Sequence, residues 1–397
     1  MKYVIVGNGV AGTTAASAIR KNDPIGEIRM ITEEAYPFYS RIRLMEYISG
    51  DVDLPKLQIN NQAWYEDNKI QLVLNSRVAD IDPVGREIVT QSGQKFSYDK
   101  LLLATGAVSF LPPIKGADKK GIFTLRNIQD AEAIKKYAQG QSKALLIGGG
   151  LLGLEVGNSL RKAGLIVSVA EFFPRLLPRQ TDPACAELLK GRLEQMGFVF
   201  YLGVVSKEII GGESAQGLVF EDGRQIPTDL VIVSAGVRPN MALAQKLGIK
   251  VGKGIPVTDR METEIPGIFA AGDAIEHGGV VYGIWSAAEQ QGEVAGTVMA
   301  GGGAEYKGTT FSNQLKVVGI DLLATGDIDP DGKLESFVDQ DNQAGTYRKL
   351  VVKENHLAGV LLFGKLDGRV KLLKAIDGQM DISALKEPLS RFDLSGL

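Results

Sequence analysis

The feature that most constrains this chain is a turn that it makes twice. Residues 3–12 read YVIVGNGVAG and residues 145–153 read LLIGGGLLG. In each, a short apolar run stops at the first glycine of a G-x-G-x-x-G series, Gly7, Gly9 and Gly12 in one and Gly148, Gly150 and Gly153 in the other, and a helix-forming stretch follows. A chain that gives up side chains between strand and helix brings bare backbone close to something. The first turn of a helix offers unpaired N–H groups and the positive end of its dipole, so that something is expected to be a phosphate. The order strand, loop, helix, strand holds both times: KYVIV, a helix ending near KNDP and EIRMIT; then KALLI, a helix stopped by Gly164 and LIVSVAE. Each second strand ends near an acid, Glu33 with Glu34 beside it and Glu171, suited to accept hydrogen bonds from ribose hydroxyls. Two βαβ units and two dinucleotide sites are predicted. A carboxylate at 171 also suits a 2′-hydroxyl and repels a 2′-phosphate, which favours NADH over NADPH, with Arg175 and Arg179 close behind as a counterweight.

Composition narrows the function classes. With 397 residues, 44% hydrophobic and 23% charged, the chain is long enough for two or three domains, and no apolar run reaches the roughly 18 residues of a membrane span. A formal charge of −3 lacks the basic bias of a nucleic-acid binder. The first strand begins almost at Met1, leaving no room for a signal peptide, so the cytoplasm is the expected compartment. Cys185 is the sole cysteine; it shares a helical face with Leu188, Leu189 and Leu193 and reads as a core residue. One cysteine cannot form a thiol redox pair or an iron–sulfur site, and with only His277 and His356 no metal site is expected.

After the second βαβ unit, FVFYL, KEII, GLVFED and TDLVIVSAGVRPN read as short strands of one meander. IPGIFAAGD then leads to a helix beginning near Trp285, with Ala288, Ala295 and Met299 at helical spacing and Gly301–Gly303 as its stop. From 308 to 397 strands and turns such as DPDG predict a separate small α+β domain.

The ordered set VGNGVAG, LLLATGA, IGGGLLGLE, SAGVRPN and IPGIFAAGD resembles the pyridine nucleotide-disulphide oxidoreductase superfamily over roughly residues 1–300. The resemblance implies a glutathione-reductase-like α/β fold with two Rossmann-like domains, FAD in the first and NADH in the second. It also implies a discontinuous FAD domain, 1–108 plus 240–305, with the NADH domain inserted at 109–239. Residue by residue, Gly7, Gly9, Val10, Ala11 and Gly12 would face the FAD diphosphate, Glu33 and Glu34 its ribose, and Val78 the adenine. Thr105, Gly106 and Gly236, at the crossings between domains, would also be cofactor-binding, with Asp273 at the ribityl or diphosphate region and Trp285 at the start of a helix aimed at the flavin ring. Glu155 matches the acid that relatives place between nicotinamide and flavin. Glu155 and Trp285 are thus the expected catalytic positions.

The chain departs from disulphide-reducing relatives where they carry a redox cysteine. Ser40 and Arg41 occupy that neighbourhood, so no sulfur can relay electrons. PFYSRIRL resembles instead the corresponding segment of NADH:rubredoxin reductases and of the flavoprotein part of NADH-dependent nitrite reductases, and Arg41 is the expected cofactor contact there. Ile42, Arg43 and Glu46 stand where ferredoxin reductases of oxygenase systems usually have two prolines and a lysine. The expectation is an NADH:acceptor oxidoreductase passing hydride to FAD and single electrons to rubredoxin or a similar small carrier. A generally acidic carrier would meet Arg41, Arg43, Arg175 or Arg179. A flavin oxidase, an NADH-responsive sensor and the electron-input subunit of a larger reductase are the alternatives. A homodimer stays open, and neither nucleic acid nor membrane is an expected partner.

Overall fold

The computed structural model describes residues 1–309 and 312–397, for 312–317 the backbone alone. Residues 310 and 311, at the start of the expected 308–397 domain, lie outside the described residues. The chain forms two compact units, residues 1–43, 52–109 and 237–309 in the first, and 44–51, 110–236 and 310–397 in the second.

The first unit is built on a five-stranded parallel sheet in the order Ile268–Ala270, Lys100–Leu103, Lys2–Val6, Glu27–Ile31, Ile70–Val73. Its strands are near-continuous apolar runs because such a sheet is buried on both faces. Ile5, Met30, Leu101 and Leu102 have no exposed surface, each worth about 1.5–3 kcal/mol of burial. The first helix, Val10–Asn22, is rich in alanine and packs on the helix Trp285–Met299. Two glycines of the latter allow contact at backbone distance: a Cβ at Gly292 would lie 2.5 Å from the Ala11 carbonyl oxygen, and one at Gly296 2.3 Å from that of Ala15. Short antiparallel strands Ala107–Ser109 and Val237–Pro239 pair where the chain leaves and re-enters the unit.

In the second unit a five-stranded parallel sheet has the order Val199–Leu202, Ile166–Glu171, Lys143–Ile147, Leu230–Val233, Ile122–Phe123. The expected meander is corrected here. Only Ser206–Ile210, Gly217–Phe220 and Gln225–Pro227 form an antiparallel sheet, while FVFYL is an edge strand and LVIV an inner strand of the parallel sheet. LVIV is buried along its whole length, the mark of a strand covered on both faces, and a run so short carries no periodicity to tell the two settings apart.

The C-terminal residues of this unit form a five-stranded antiparallel sheet, ordered Ser312–Val317, Ile320–Gly326, His356–Phe363, Thr346–Lys353, Glu335–Asp341. The helix Arg369–Asp377 packs Leu372 and Ile376 against Leu323, Leu350 and Leu362. A buried polar cluster joins this sheet to the helix Pro183–Gln195. Asp182 caps that helix, its Oδ1 accepting from the Cys185 amide at 3.0 Å, and its Oδ2 accepts from the Tyr347 hydroxyl at 2.6 Å with Lys349 Nζ at 3.4 Å. Lys349 also donates to the Asp329 carbonyl at 2.7 Å. Every charge there has a partner, the condition under which buried ions are tolerated. Among the described residues no helix is long and apolar enough to cross a membrane.

Candidate functional site

Each parallel sheet ends in a glycine loop, and the three glycines of each loop have three separate physical reasons. Gly7 and Gly148 turn the chain out of the strand at φ +119° and +114°, and an added Cβ would meet the Ala104 carbonyl oxygen at 2.1 Å or the Ser234 carbonyl oxygen at 2.3 Å. No L side chain fits that conformation or that space. Gly12 and Gly153 lie inside the helices, where a Cβ would strike the carbonyl oxygen of Gly7 at 2.2 Å or of Gly148 at 2.4 Å, so they let each helix close onto its own loop. Gly9 and Gly150 are different. Both cap their helices in extended conformation, and a Cβ on either would meet nothing within 4 Å. Folding does not require glycine there, so the open space is left for what docks on the helix N-terminus.

Around the first cradle, Val10 is half-buried, while Ala11 is buried with its carbonyl against Gly292 and its Cβ near Gly272. Ala11 therefore serves helix packing. Glu33 is exposed and pairs with Arg77 at 3.6 Å. Glu34 turns back instead to the Arg41 guanidinium and the Tyr39 hydroxyl. Burial works against the Arg41 charge, but the Tyr39 and Glu34 oxygens and the more remote Asp273 hold it, and its pKa ends above the ordinary arginine value. Val78 is buried in the strand Val78–Asp82. The Thr105 hydroxyl donates to the Asn240 carbonyl at 2.7 Å, and the Asn240 amide to the Gly106 carbonyl at 2.9 Å. These two residues splice the chain where it crosses back. Asp273 follows Gly272, whose amide donates to Gln291 Oε1 at 2.9 Å. Trp285 opens its helix, keeps 39% of its surface exposed and holds its ring 5.9 Å from that of Phe38. An exposed tryptophan at a helix N-terminus is not a core aromatic.

Around the second cradle, Glu171 is 7% exposed and accepts from the Gly149 amide at 2.5 Å and the Phe173 amide at 2.8 Å. The strand-end acid thus stands inside the loop. Gly236 adopts φ +90°, and its carbonyl accepts from the Phe110 amide at 2.9 Å. Glu155 lies in the helix Leu151–Lys162 and is half-buried, its Oε1 accepting from the Val318 amide at 2.8 Å. Burial raises its pKa, against the pull of that amide and of Lys162 and with the push of Glu46. Of the arginines expected to face a carrier, Arg43 donates to the Lys56 carbonyl, Arg175 is half-buried and donates to the Pro178 carbonyl, and Arg179 is exposed.

Among the described residues three buried side-chain nitrogens have no hydrogen-bond partner: Asn8 Nδ2 in the first loop, Arg175 Nε and Gln291 Nε2. Sequence patterns do not single out Asn8, because its amide is set by a residue far along the chain.

Residues 1–292 match the family described as pyridine nucleotide-disulphide oxidoreductase, and residues 312–380 the rubredoxin NAD+ reductase C-terminal domain. The nitrite reductase (NAD(P)H) of Bacillus subtilis is 38% identical over 98% of this chain and 49% of its own length. The NADH-rubredoxin oxidoreductase of Clostridium acetobutylicum is 33% identical over 95% of this chain and 94% of its own. The crystal structure of the NADH:rubredoxin oxidoreductase from the same organism superposes with a TM-score of 0.84 at 32% identity, covering 100% of this chain and 99% of that one. The chain spans about half the length of the two Bacillus subtilis relatives it matches. Members of the family use FAD and NADH, and the two cradles are consistent with one such cofactor each.

Proposed function

The chain belongs to the pyridine nucleotide-disulphide oxidoreductase family, and from that premise we propose that it is an FAD-dependent NADH:acceptor oxidoreductase whose acceptor is rubredoxin or a similar small one-electron carrier. The observation that carries this reading is the pairing of two open glycine cradles with a sealed thiol. Cys185, the sole cysteine, has no exposed surface, and burial pushes its pKa up, so it stays a neutral thiol. Without a thiolate there is no sulfur relay, which suits a flavin that passes its electrons directly to an external acceptor.

Bound FAD would supply the conversion between a two-electron hydride donor and one-electron acceptors. The protein's part is binding and alignment. The first cradle would hold the FAD diphosphate on the N–H groups opening the helix Val10–Asn22, with Arg41, fixed by Glu34, adding a positive charge. Trp285 places a second helix N-terminus, suited to negative charge on the flavin. The second cradle would hold NADH, with Glu171 on the adenosine ribose and Glu155 on the nicotinamide side.

A second reading has its own support: 38% identity to half of a nitrite reductase suits an electron-input module. An anaerobic NADH titration, followed by oxidised rubredoxin or by air, separates the two. Loss of the oxidised-flavin band on adding NADH and much faster reoxidation by rubredoxin than by air is the expected result. Reduction by NADH with no reoxidation by rubredoxin overturns the acceptor and leaves the module reading; a chain that binds no flavin overturns both.

A further inference from the structure

We propose that Val318, at the tip of a hairpin in the C-terminal sheet, is a positioning residue whose backbone amide holds Glu155 Oε1 and leaves Oε2 to meet the nicotinamide carboxamide of NADH. The proposal rests on the reading that places NADH in the second cradle with Glu155 on its nicotinamide side. It gives the C-terminal sheet a part in the NADH site.

The hairpin joins Ser312–Val317 to Ile320–Gly326, and Val317 pairs with Ile320, so Val318 and Gly319 alone form its loop. Two-residue loops commonly hold both residues at positive φ, and asparagine followed by glycine is the favoured pair. Here the angles are +53° and +85°, but the first residue is a valine. A β-branched residue at positive φ is an outlier. Such strain persists where the surroundings impose it, and it gathers at functional sites. Val318 is buried, and its amide is the group that touches Glu155.

The direction of that bond is forced. A backbone N–H only donates, so Glu155 Oε1 accepts, at 2.8 Å. A loop residue has no opposite number in the ladder, which leaves its amide to bond outside the hairpin. Among the described residues Val318 is the donor to the Glu155 side chain, and Oε2 receives none. Glu155 stands in the second turn of the helix Leu151–Lys162, one turn along from the cradle at its N-terminus. A carboxylate oxygen accepts from the N–H groups of a carboxamide.

The tip is fixed because the same sheet is anchored twice more within its unit. Tyr347 and Lys349 meet Asp182 in the buried cluster, and the Arg192 guanidinium donates to the Ala344 carbonyl at 3.0 Å. The surrounding charges compete over Glu155. Burial opposes its charge, as does Glu46 on the helix Leu44–Ser49, while the Val318 amide and Lys162 support it. Lys162 is shared with Asp51, 2.7 Å away. Removing the amide tips that balance further toward the neutral acid.

The test is the affinity of the full-length, FAD-loaded chain for NAD+, the oxidised form that cannot reduce the flavin, measured by calorimetry across about pH 5 to 9. Replacing Val318 by its α-hydroxy acid turns the amide into an ester, which deletes the N–H and keeps the side chain. The ester is expected to weaken NAD+ binding about 10-fold at neutral pH. It should also move the loss of binding in acid upward by about one pH unit. In the Glu155→Ala background the same ester should cost less than about 2-fold. Val318→Asn keeps the amide and suits positive φ, so it should bind NAD+ within about 2-fold of wild type. Where the ester chain does not fold, the wild type decides: its Val318 amide resonance, seen by valine-selective labelling, should titrate with the same midpoint as NAD+ affinity. An ester that costs the same in both backgrounds, an ester within about 2-fold of wild type, or a Val318 resonance that does not titrate overturns the positioning role. NAD+ affinity within about 2-fold of wild type for Glu155→Ala overturns the placement of Glu155, and the proposal with it. A wild-type chain that binds no NAD+ overturns the assignment of the second cradle instead.

Discussion

The two glycine loops share one backbone plan and differ in where they keep their polar side chains. In both, the first glycine amide donates to the carbonyl of the residue paired with the end of its own strand, Gly7 to Ile31 at 2.9 Å and Gly148 to Ala170 at 2.8 Å. In both, the first and third glycines are demanded by neighbouring carbonyls and the second by nothing in the protein. The acids nevertheless fall out of register. Glu171 follows Ala170 directly, whereas Thr32 follows Ile31 and Glu33 comes one residue later. In extended chain a slip of one residue turns the side chain to the opposite side. Glu171 accordingly points into its loop and braces it, while Glu33 stands in solvent against Arg77. The first loop leaves the buried Asn8 Nδ2 without a partner among the described residues, and the second gains an internal acceptor in Glu171. Equal spacing of glycines fixes the path of the backbone and leaves the charge of the cradle to be set separately.

The comparison breaks most visibly at the strand exits. Gly7→Ala and Gly148→Ala each force a Cβ into a carbonyl oxygen at positive φ, and each is expected to destabilise its unit by about 3 kcal/mol or more in denaturant unfolding. Equal tolerance of alanine at both would refute the shared plan. A smaller effect separates the acids. Glu171→Gln weakens two charge-assisted hydrogen bonds and is expected to cost about 1.5–3 kcal/mol, and it should lower the ratio of NADH to NADPH kcat/KM about 10-fold. Glu33→Gln should move stability by no more than about 0.5 kcal/mol.

Gly9→Ala and Gly150→Ala sharpen the contrast within each loop. Their backbone conformations suit alanine and the space is open, so thermal stability without cofactor should change by no more than about 0.5 kcal/mol. FAD affinity should fall for the first and NADH affinity for the second, each without the other. Loss of both by either variant would mean that the cradles are not separate sites.

The smallest expected effect lies at Glu155, whose pKa burial raises. A carboxyl with a raised folded-state pKa makes the folded chain hold its proton longer than the unfolded chain, so its penalty grows as pH rises from the ordinary carboxylate range and is complete above the raised value. Glu155→Gln, which keeps an acceptor for the Val318 amide, should therefore raise the melting temperature slightly at neutral pH, with the gain vanishing in acid. A melting curve that shows the gain only in acid would contradict the buried carboxylate.

Much of the fold is legible in the sequence. The parallel sheets, the two strand–loop–helix turns, the Trp285 helix, the Gly164 stop and the α+β character of the C-terminal part all follow from local patterns of glycine and apolar residues. Glu155, Arg41 and Asp273 can be nominated because they fall inside motifs. The meander is not legible, because four-residue apolar strands look alike on an edge, inside a sheet or in a hairpin. Nor is Asn8, because an asparagine between two glycines reads as turn chemistry.

What the sequence determined by itself is the backbone: where the chain must turn, which residues must lack a side chain and which runs must be buried, since those demands act between neighbours along the chain. The tertiary structure alone decided what the side chains at those turns do. Tyr65 bonds to Asn8 from 57 positions away, and Lys349 reaches from a strand to the helix cap Asp182. The carbonyl that forbids a side chain at Gly7 belongs to Ala104. Hydrogen bonding and exclusion act over a few ångströms of space, and only the folded chain brings those atoms that close.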